Sequence, residues 1–167
     1  MNAVDILKYG HLTFQGALAR VPIEAWHAGG VCGVWSVKDI IAHLASYEEL
    51  LADILGIFLG DEEAPHLQHY LELGPPFNDI AVAARQALSA EQALAEYNQH
   101  HTAVMRRIPQ IPMARCYQPG TLPWYGAEYA LDDFLVYQYY GHKREHSAQI
   151  AVYADVVEQE QTAAATA

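Results

Sequence analysis

Two histidines near the C-terminal end of the chain have the spacing of ligands to one metal ion. His142 and His146 are four residues apart, so a helix places both imidazoles on the same face. A third histidine, His43, lies far upstream on a second apparent helix. Three histidines that leave a coordination position open are typical of a catalytic metal site rather than a structural one. The spacing therefore predicts a metal centre at His43, His142 and His146.

Chance has to be weighed against this interpretation, because the 167 residues include nine histidines. His142 and His146 fall at consecutive inner positions of their predicted helix, where leucine would otherwise be expected. Burying a neutral imidazole without a partner costs about 1–3 kcal/mol. A metal ion or a hydrogen-bond network would each remove that cost, and the residues alone leave both alternatives open. Gly141, inside the same helix, suggests the close approach of another helix or a ligand.

Length and charge restrict the classes of function. A chain of 167 residues fits one domain with a real core. The formal net charge of −11 argues against nucleic acid or an anionic membrane as a partner. No apolar run reaches the length of a membrane span and no signal peptide is recognisable, so we expect a cytoplasmic protein. Cys32 and Cys116 are isolated, which predicts neither a disulfide nor a zinc–cysteine site.

Four segments have helical periodicity, and their apolar stripes predict an all-α four-helix bundle. They cover residues 2–21, 36–60, 78–108 and 131–157. Ser36 with Asp39 and Ser89 with Gln92 have the pattern of capping boxes, the second pair indicating a restart within the third segment. The connection 61–77, rich in acid and proline, is expected to be a long loop and favours a crossover topology. We assign residues 1–157 to one domain and residues 158–167 to a frayed tail.

Other residues are candidates for the lining of a pocket. His11 and His101 fall on the inner stripes of the first and third helices, where each could line a cavity, shuttle protons or hydrogen-bond to a tyrosine. Tyr47 on the second helix, Trp35 before it and Trp124 in the irregular segment 115–129 could cover one end of the bundle. Motifs of serine hydrolases, nucleotide-binding loops and di-iron bundles are absent from the sequence.

The chain resembles the DinB-like superfamily of metal-binding four-helix bundles. The resemblance rests on the Trp-Ser-Val-Lys-Asp motif at 35–39 that leads into His43-Leu44, on Gly141-His142, and on the stretch from His146 to Ile150. It implies an up-down-down-up bundle, often dimeric, in which His43, His142 and His146 bind one divalent metal. A related group of toxin-protecting bundle proteins shares the first motif but lacks the paired C-terminal histidines.

The superfamily includes transferases and isomerases that use bacillithiol, mycothiol or glutathione, and also members without known activity. The first hypothesis is therefore a thiol transferase or hydrolase that acts on a small electrophile with Zn or Ni, or with Fe or Co. The second is a non-enzymatic, stress-associated metal-binding bundle, which a fourth protein ligand such as His11 or His101 would favour. The third is a buried histidine network without metal. A homodimer is expected from the resemblance alone.

Overall fold

A computed structural model describes residues 2–166, and their regular structure is helical. The helices are α1 (Ala3–Leu18), α2 (Val37–Leu59), α3 (Pro65–Leu73), α4 (Phe77–Ala83), α5 (Ala90–Arg107), α6 (Met113–Cys116), α7 (Leu131–Leu135) and α8 (His142–Ala165). A π-helical segment, Val136–Gly141, joins α7 to α8, and 3-10 turns occupy Ile23–Ala25 and Ile108–Gln110. Within residues 2–166 the β pairing is limited to one isolated bridge between Cys32 and Trp35. The predicted all-α class is confirmed.

Both predicted capping boxes are present. The Ser36 hydroxyl accepts a hydrogen bond from the Asp39 backbone N–H at 3.1 Å, and the Asp39 carboxylate accepts one from the Ser36 backbone N–H at 3.0 Å. Ser89 and Gln92 make the same reciprocal pair at the start of α5. Because the capping residues are local in sequence, these two helix starts could be predicted without tertiary information.

The connection between α2 and α4 is not the loop that its composition predicts. It contains α3, which begins with Pro65 at its first position, a place where proline is well tolerated because no N–H is needed. The Asp53 carboxylate of α2 accepts hydrogen bonds from the backbone N–H groups of His66 at 2.6 Å and Leu67 at 3.2 Å. The prediction was wrong because a side chain from another helix caps α3.

The predicted restart within the third segment is present, because this segment is divided into α4 and α5; α4 starts at Phe77 rather than Asn78. The fourth helix continues to Ala165 instead of ending at Val157. Alanine, glutamine and glutamate fill this extension and are strong helix formers, whereas the prediction had placed the helix end where the apolar stripe ended. The division into a domain and a frayed tail stays a prediction.

Gly141 plays a different part from the one expected. A Cβ atom at this position would lie 3.3 Å from the Val136 carbonyl oxygen of its own helix, not against another helix. The close approach is therefore internal to the π-helical segment. Such segments often occur at functional sites, and this one ends directly before His142.

The four longest helices, α1, α2, α5 and α8, form the core. α2 packs most extensively on α5, and α1 on α8. Two apolar clusters fill the space between them. One includes Leu7, Leu51, Ile54, Leu55, Val104, Ile108, Leu135 and Tyr139; the other includes Phe14, Leu18, Ile40, Ile41, Leu44, Ala93, Tyr97 and Ile150.

A layer of polar side chains separates the two apolar clusters along every core helix. Its members are His11 on α1, His43 and Glu48 on α2, His101 on α5, and His142, Lys143 and His146 on α8. Burial of so many polar groups at one level requires partners for each of them. This layer is therefore where a functional site has to be sought. None of the helices within residues 2–166 combines the length and the apolar character that a bilayer crossing requires.

Candidate metal centre

The structure brings His43, His142 and His146 together. The Nε2 atom of His142 lies 2.8 Å from Nε2 of His43 and 3.0 Å from Nε2 of His146. His43 and His146 are buried, and His142 is half-buried. Among residues 2–166 these three form a group whose potential ligand atoms all lie within 4.8 Å of one another. Nitrogens that share one ion at bonds of ~2 Å are separated by roughly 3–3.5 Å, so only a small outward adjustment would be needed.

Hydrogen bonds among the three rings cannot satisfy all three Nε2 atoms. A neutral imidazole has one N–H donor and one acceptor nitrogen, so a hydrogen bond between two Nε2 atoms needs a proton on one of them. Nε2 of His142 faces two other Nε2 atoms, and its single N–H or single lone pair can serve only one of them well. The other contact leaves two like groups face to face. A cation that accepts a lone pair from each nitrogen removes this conflict.

The other ring nitrogens differ in their partners. Nδ1 of His146 lies 2.8 Å from Oε1 of Gln149, and this contact leaves the Nε2 lone pair free when Nδ1 carries the proton. Nδ1 of His43 is buried and has no hydrogen-bond partner among the described residues. Gln149 therefore orients the His146 ring by a hydrogen bond, whereas the His43 ring is held by packing against Trp35 and Tyr47.

Burial keeps the three imidazoles neutral. Desolvation, together with the neighbouring His142 and His146, lowers the pKa of His43 to about 2. Desolvation, followed by the charge of His146, lowers the pKa of His142 to about 4, while the Gln138 backbone acts in the opposite direction. Desolvation also lowers the pKa of His146. Neutral imidazole is the form that binds a metal ion, so the cluster is in the right state at neutral pH.

The aromatic rings of Tyr47 and Trp35 pack against the cluster. The Tyr47 ring lies 4.8 Å from both the His43 ring and the His142 ring, between centroids. The Trp35 ring lies 4.9 Å from that of His43. Desolvation by burial raises the pKa of Tyr47 to about 12, against the hydrogen bond to Asn78. The Tyr47 hydroxyl therefore keeps its proton and donates it to Oδ1 of Asn78 at 3.3 Å.

A cavity of about 450 Å³ lies on the far side of Tyr47. It is lined by Tyr47, Leu50, Ile54, Leu67, Tyr70, Leu71, Gly74, Pro75, Asn78, Trp124, Tyr125, Phe134 and Gln138. Trp124 is one of the lining residues, and α3 contributes one wall. None of the three histidines lines this cavity, and Tyr47 lies in contact with both the cavity and the His142 ring.

His11 and His101 do not join the three histidines or the cavity. Their rings stack on each other with centroids 4.0 Å apart. Nδ1 of His11 lies 3.1 Å from the Tyr97 hydroxyl, and Nδ1 of His101 lies 3.3 Å from Oε2 of Glu48. Hydrogen bonding to a tyrosine, one of the three alternatives, is present for His11, and a pocket-lining role for either histidine stays a prediction.

Sequence reasoning missed Glu48 and Lys143, which form an ion pair in the core. Glu48 is fully buried, and Lys143 is 2 % exposed. Burial alone would raise the pKa of Glu48, but Lys143 and His101 outweigh it and lower the pKa to about 2. A signal existed: Glu48 lies one helical turn from Leu44 and from Leu51, on the inner stripe of α2.

A second group of potential ligands lies nearer the surface, where Glu49, Glu96 and His100 approach one another. Arg85 already occupies it. Nη2 of Arg85 lies 2.6 Å from Glu49, and its Nε lies 2.7 Å from Glu96. Because a guanidinium already pairs with both carboxylates, this group is an ion-pair network and is less suited to a metal than the three histidines.

Comparison with known proteins places the chain in a family. The sequence model of the mycothiol maleylpyruvate isomerase N-terminal domain matches residues 10–128. The matched stretch includes His43 and ends before α7, so it does not include His142 and His146. No curated protein and no solved structure matches the chain. Because the match covers more than half of the 167 residues, the chain belongs to the mycothiol maleylpyruvate isomerase N-terminal domain family, within the DinB-like superfamily.

Proposed function

We propose that this protein is a metal-dependent thiol transferase or hydrolase that acts on a small electrophile. His43, His142 and His146 would hold one divalent ion, with Zn or Ni as the first candidates because imidazole ligands suit both, and with Fe or Co as further ones. Mycothiol, bacillithiol or glutathione would be the thiol cosubstrate. The name of the matched family supports a thiol of the mycothiol type.

The observation that carries the proposal is the convergence of three Nε2 atoms on one point. Their separations of 2.8 and 3.0 Å cannot both be good hydrogen bonds between neutral rings. His11 and His101, the residues that could have closed the site with a fourth ligand, instead hydrogen-bond to Tyr97 and Glu48. A site with three histidines and no such fourth ligand favours catalysis over a structural role.

The residues around the cluster have separable roles. A divalent ion on the three histidines would supply Lewis acidity, lowering the pKa of a thiol or of water that reaches it. Gln149 orients the His146 ring. Tyr47 and Trp35 exclude water from the His43 side of the cluster. The cavity beyond Tyr47 holds the substrate.

Elemental analysis of tag-free protein tests the proposal. We expect about one divalent metal per chain in the wild type and its loss in His43→Ala and His146→Ala. His11→Gln is the matched control, since it alters a histidine of the same polar layer outside the cluster, and it should keep the metal. Turnover would then be screened with each thiol. A wild type that stays metal-free after reconstitution with Zn and Ni would overturn the proposal.

One observation favours a second candidate, a metal-binding bundle without catalysis. Tyr47 lies between the cavity and the cluster, and none of the three histidines lines the cavity. If Tyr47 stays in place, a ligand in the cavity does not reach the histidines. Stoichiometric metal with no turnover for any thiol, in the wild type and in Tyr47→Ala, would select this candidate.

We also infer that α1, α2, α5 and α8 follow the up-down-down-up order and that the protein is a homodimer. Exposed apolar side chains on α1, on the π-helical segment and on α8 support self-association; Tyr9, Leu12, Tyr137 and Val152 are examples. Sedimentation velocity over a tenfold concentration range measures the mass directly. A species of 18.5 kDa at every concentration would contradict the dimer.

A further inference from the structure

The cavity beyond Tyr47 has no charged side chain in its lining. Its 13 lining residues include no aspartate, glutamate, lysine, arginine or histidine. Five of them are aromatic: Tyr47, Tyr70, Trp124, Tyr125 and Phe134. The polar groups are the amides of Asn78 and Gln138, the hydroxyls of the tyrosines and the indole N–H. Such a lining offers a ligand flat apolar surface and a few neutral hydrogen bonds.

A crevice beside the cavity adds a negative charge. A shallower crevice shares Leu67, Leu71 and Trp124 with the cavity, and the charged residue in its lining is Glu72. The whole chain has a formal net charge of −11. An anion entering the cavity would lose its hydration without meeting a cationic side chain in the lining, and burial of an unpaired charge is strongly unfavourable.

We propose that this cavity binds a neutral substrate with an aromatic or similarly flat apolar group and discriminates against anions. This proposal rests on the proposed function, because the ligand of the cavity is taken to be the electrophile of that reaction. The cavity of about 450 Å³ falls within the range of small-molecule sites. A dicarboxylate, the kind of compound that the name of the matched family suggests, would find no side chain in this lining that neutralises its charges.

The same aromatic rings could attract a cation through their faces. One feature opposes that occupant. The lining of the cavity contains no carboxylate to neutralise a cation. A neutral ligand needs no such counter-charge.

Three probes of similar shape and different charge test the proposal. They are 1-naphthamide, 1-naphthoate and protonated 1-naphthylmethylamine, with binding measured by calorimetry at pH 7.5 on the protein as purified and after metal reconstitution. We expect 1-naphthamide to bind about tenfold tighter than either charged probe. Equal or tighter binding of a charged probe would overturn the proposal, and so would the failure of all three to bind.

Matched variants locate the binding. Leu71→Arg introduces a cation at the half-exposed mouth of the cavity, and Gln138→Arg introduces one deeper in the lining. Each should improve 1-naphthoate binding about fivefold relative to 1-naphthamide. Val152→Arg, on the exposed surface of α8, adds the same charge elsewhere and should change neither affinity. An equal gain in Val152→Arg would overturn the assignment to the cavity.

The outcome is independent of the metal test. Neutral-probe selectivity in a protein that binds no metal would support the cavity assignment while overturning the proposed function. Stoichiometric metal without selectivity for the neutral probe would support the proposed metal site while overturning the cavity assignment. Leu71→Arg is the variant with the smaller risk to folding, because Leu71 is 49 % exposed.

Discussion

Two groups of buried polar side chains lie in the same layer of the core, and they differ in whether the protein itself completes them. In the histidine cluster, His43, His142 and His146 present like nitrogens to one another. In the neighbouring network, the Glu48 carboxylate meets the Lys143 ammonium and the His101 ring. The network contains a cationic side chain, Lys143, whereas the cluster consists of neutral imidazoles.

The difference shows that burial and histidine content do not by themselves indicate a ligand site. His101 is about as buried as His146. Nδ1 of His101 has a carboxylate partner in Glu48, whereas Nδ1 of His146 has an amide partner in Gln149. What distinguishes the two groups is the complementarity of donors and acceptors. The following predictions test that distinction, from the largest expected effect to the smallest.

Removing one member of the buried ion pair should have the largest effect on stability. Glu48→Leu leaves the Lys143 ammonium buried without a counter-charge, which is expected to lower the free energy of unfolding by about 3–5 kcal/mol. The double variant Glu48→Leu/Lys143→Met should recover part of the loss, because no isolated charge remains. Urea unfolding monitored by circular dichroism measures both.

Arg20→Gln is the control, since it breaks a surface pair with Asp155 at 2.5 Å. Exposed pairs contribute about 0–1 kcal/mol, so the change should be small. A Glu48→Leu protein as stable as Arg20→Gln would contradict the description of the network as complete and mutually dependent.

Equivalent substitutions in the two groups should have opposite signs in metal-free protein. His101→Leu removes a partner of Glu48 and should cost about 1–3 kcal/mol. His43→Leu removes a ring whose Nδ1 has no partner and whose Nε2 faces a like nitrogen. It should leave the free energy of unfolding unchanged or raise it by about 1 kcal/mol.

Both measurements require a chelator in the buffer. With metal added, the sign for His43→Leu should reverse, because a ligand that binds only the folded state stabilises it. If metal-free His43→Leu loses as much free energy of unfolding as His101→Leu, the cluster is a satisfied hydrogen-bond network.

The two groups should also lose stability over different pH ranges. Desolvation lowers the pKa of His43 to about 2 and of His142 to about 4, against about 6.5 in the unfolded chain. The unfolded chain therefore binds more protons below pH 6.5, so stability is fully present above that pH and falls as the pH drops towards 4. For Glu48, whose pKa is lowered to about 2, the loss begins only below about pH 4.5.

Unfolding of metal-free protein between pH 8 and 4 measures these ranges. His142→Ala should reduce the change in the free energy of unfolding between pH 6.5 and pH 4. His11→Gln is measured beside it, because desolvation and the nearby His101 lower the pKa of His11 to about 4 as well. Stability that is flat from pH 6.5 to 4.5 in the wild type would contradict the neutral, buried state of the cluster.

Local patterns predicted much of the fold. The capping boxes at Ser36 and Ser89 and the apolar stripes of the long helices depend on residues three or four apart, and these were visible in the sequence. Helix α3 was not, because the Asp53 carboxylate that caps it belongs to another helix. The π-helical segment before His142 was not predicted either, because its residue types do not distinguish the wider π-helical turn from an α-helical one.

The sequence by itself determined the all-α class, the family and the three histidines, because helical periodicity and short motifs are local properties. Only the tertiary structure decided which polar residues face which. In the folded protein, His101 contacts Glu48 rather than the cluster, and the Glu48–Lys143 ion pair is buried in the core. Tyr47 lies between the cluster and an uncharged cavity. Complementarity between side chains on different helices depends on how those helices pack, and no single helix's sequence encodes it.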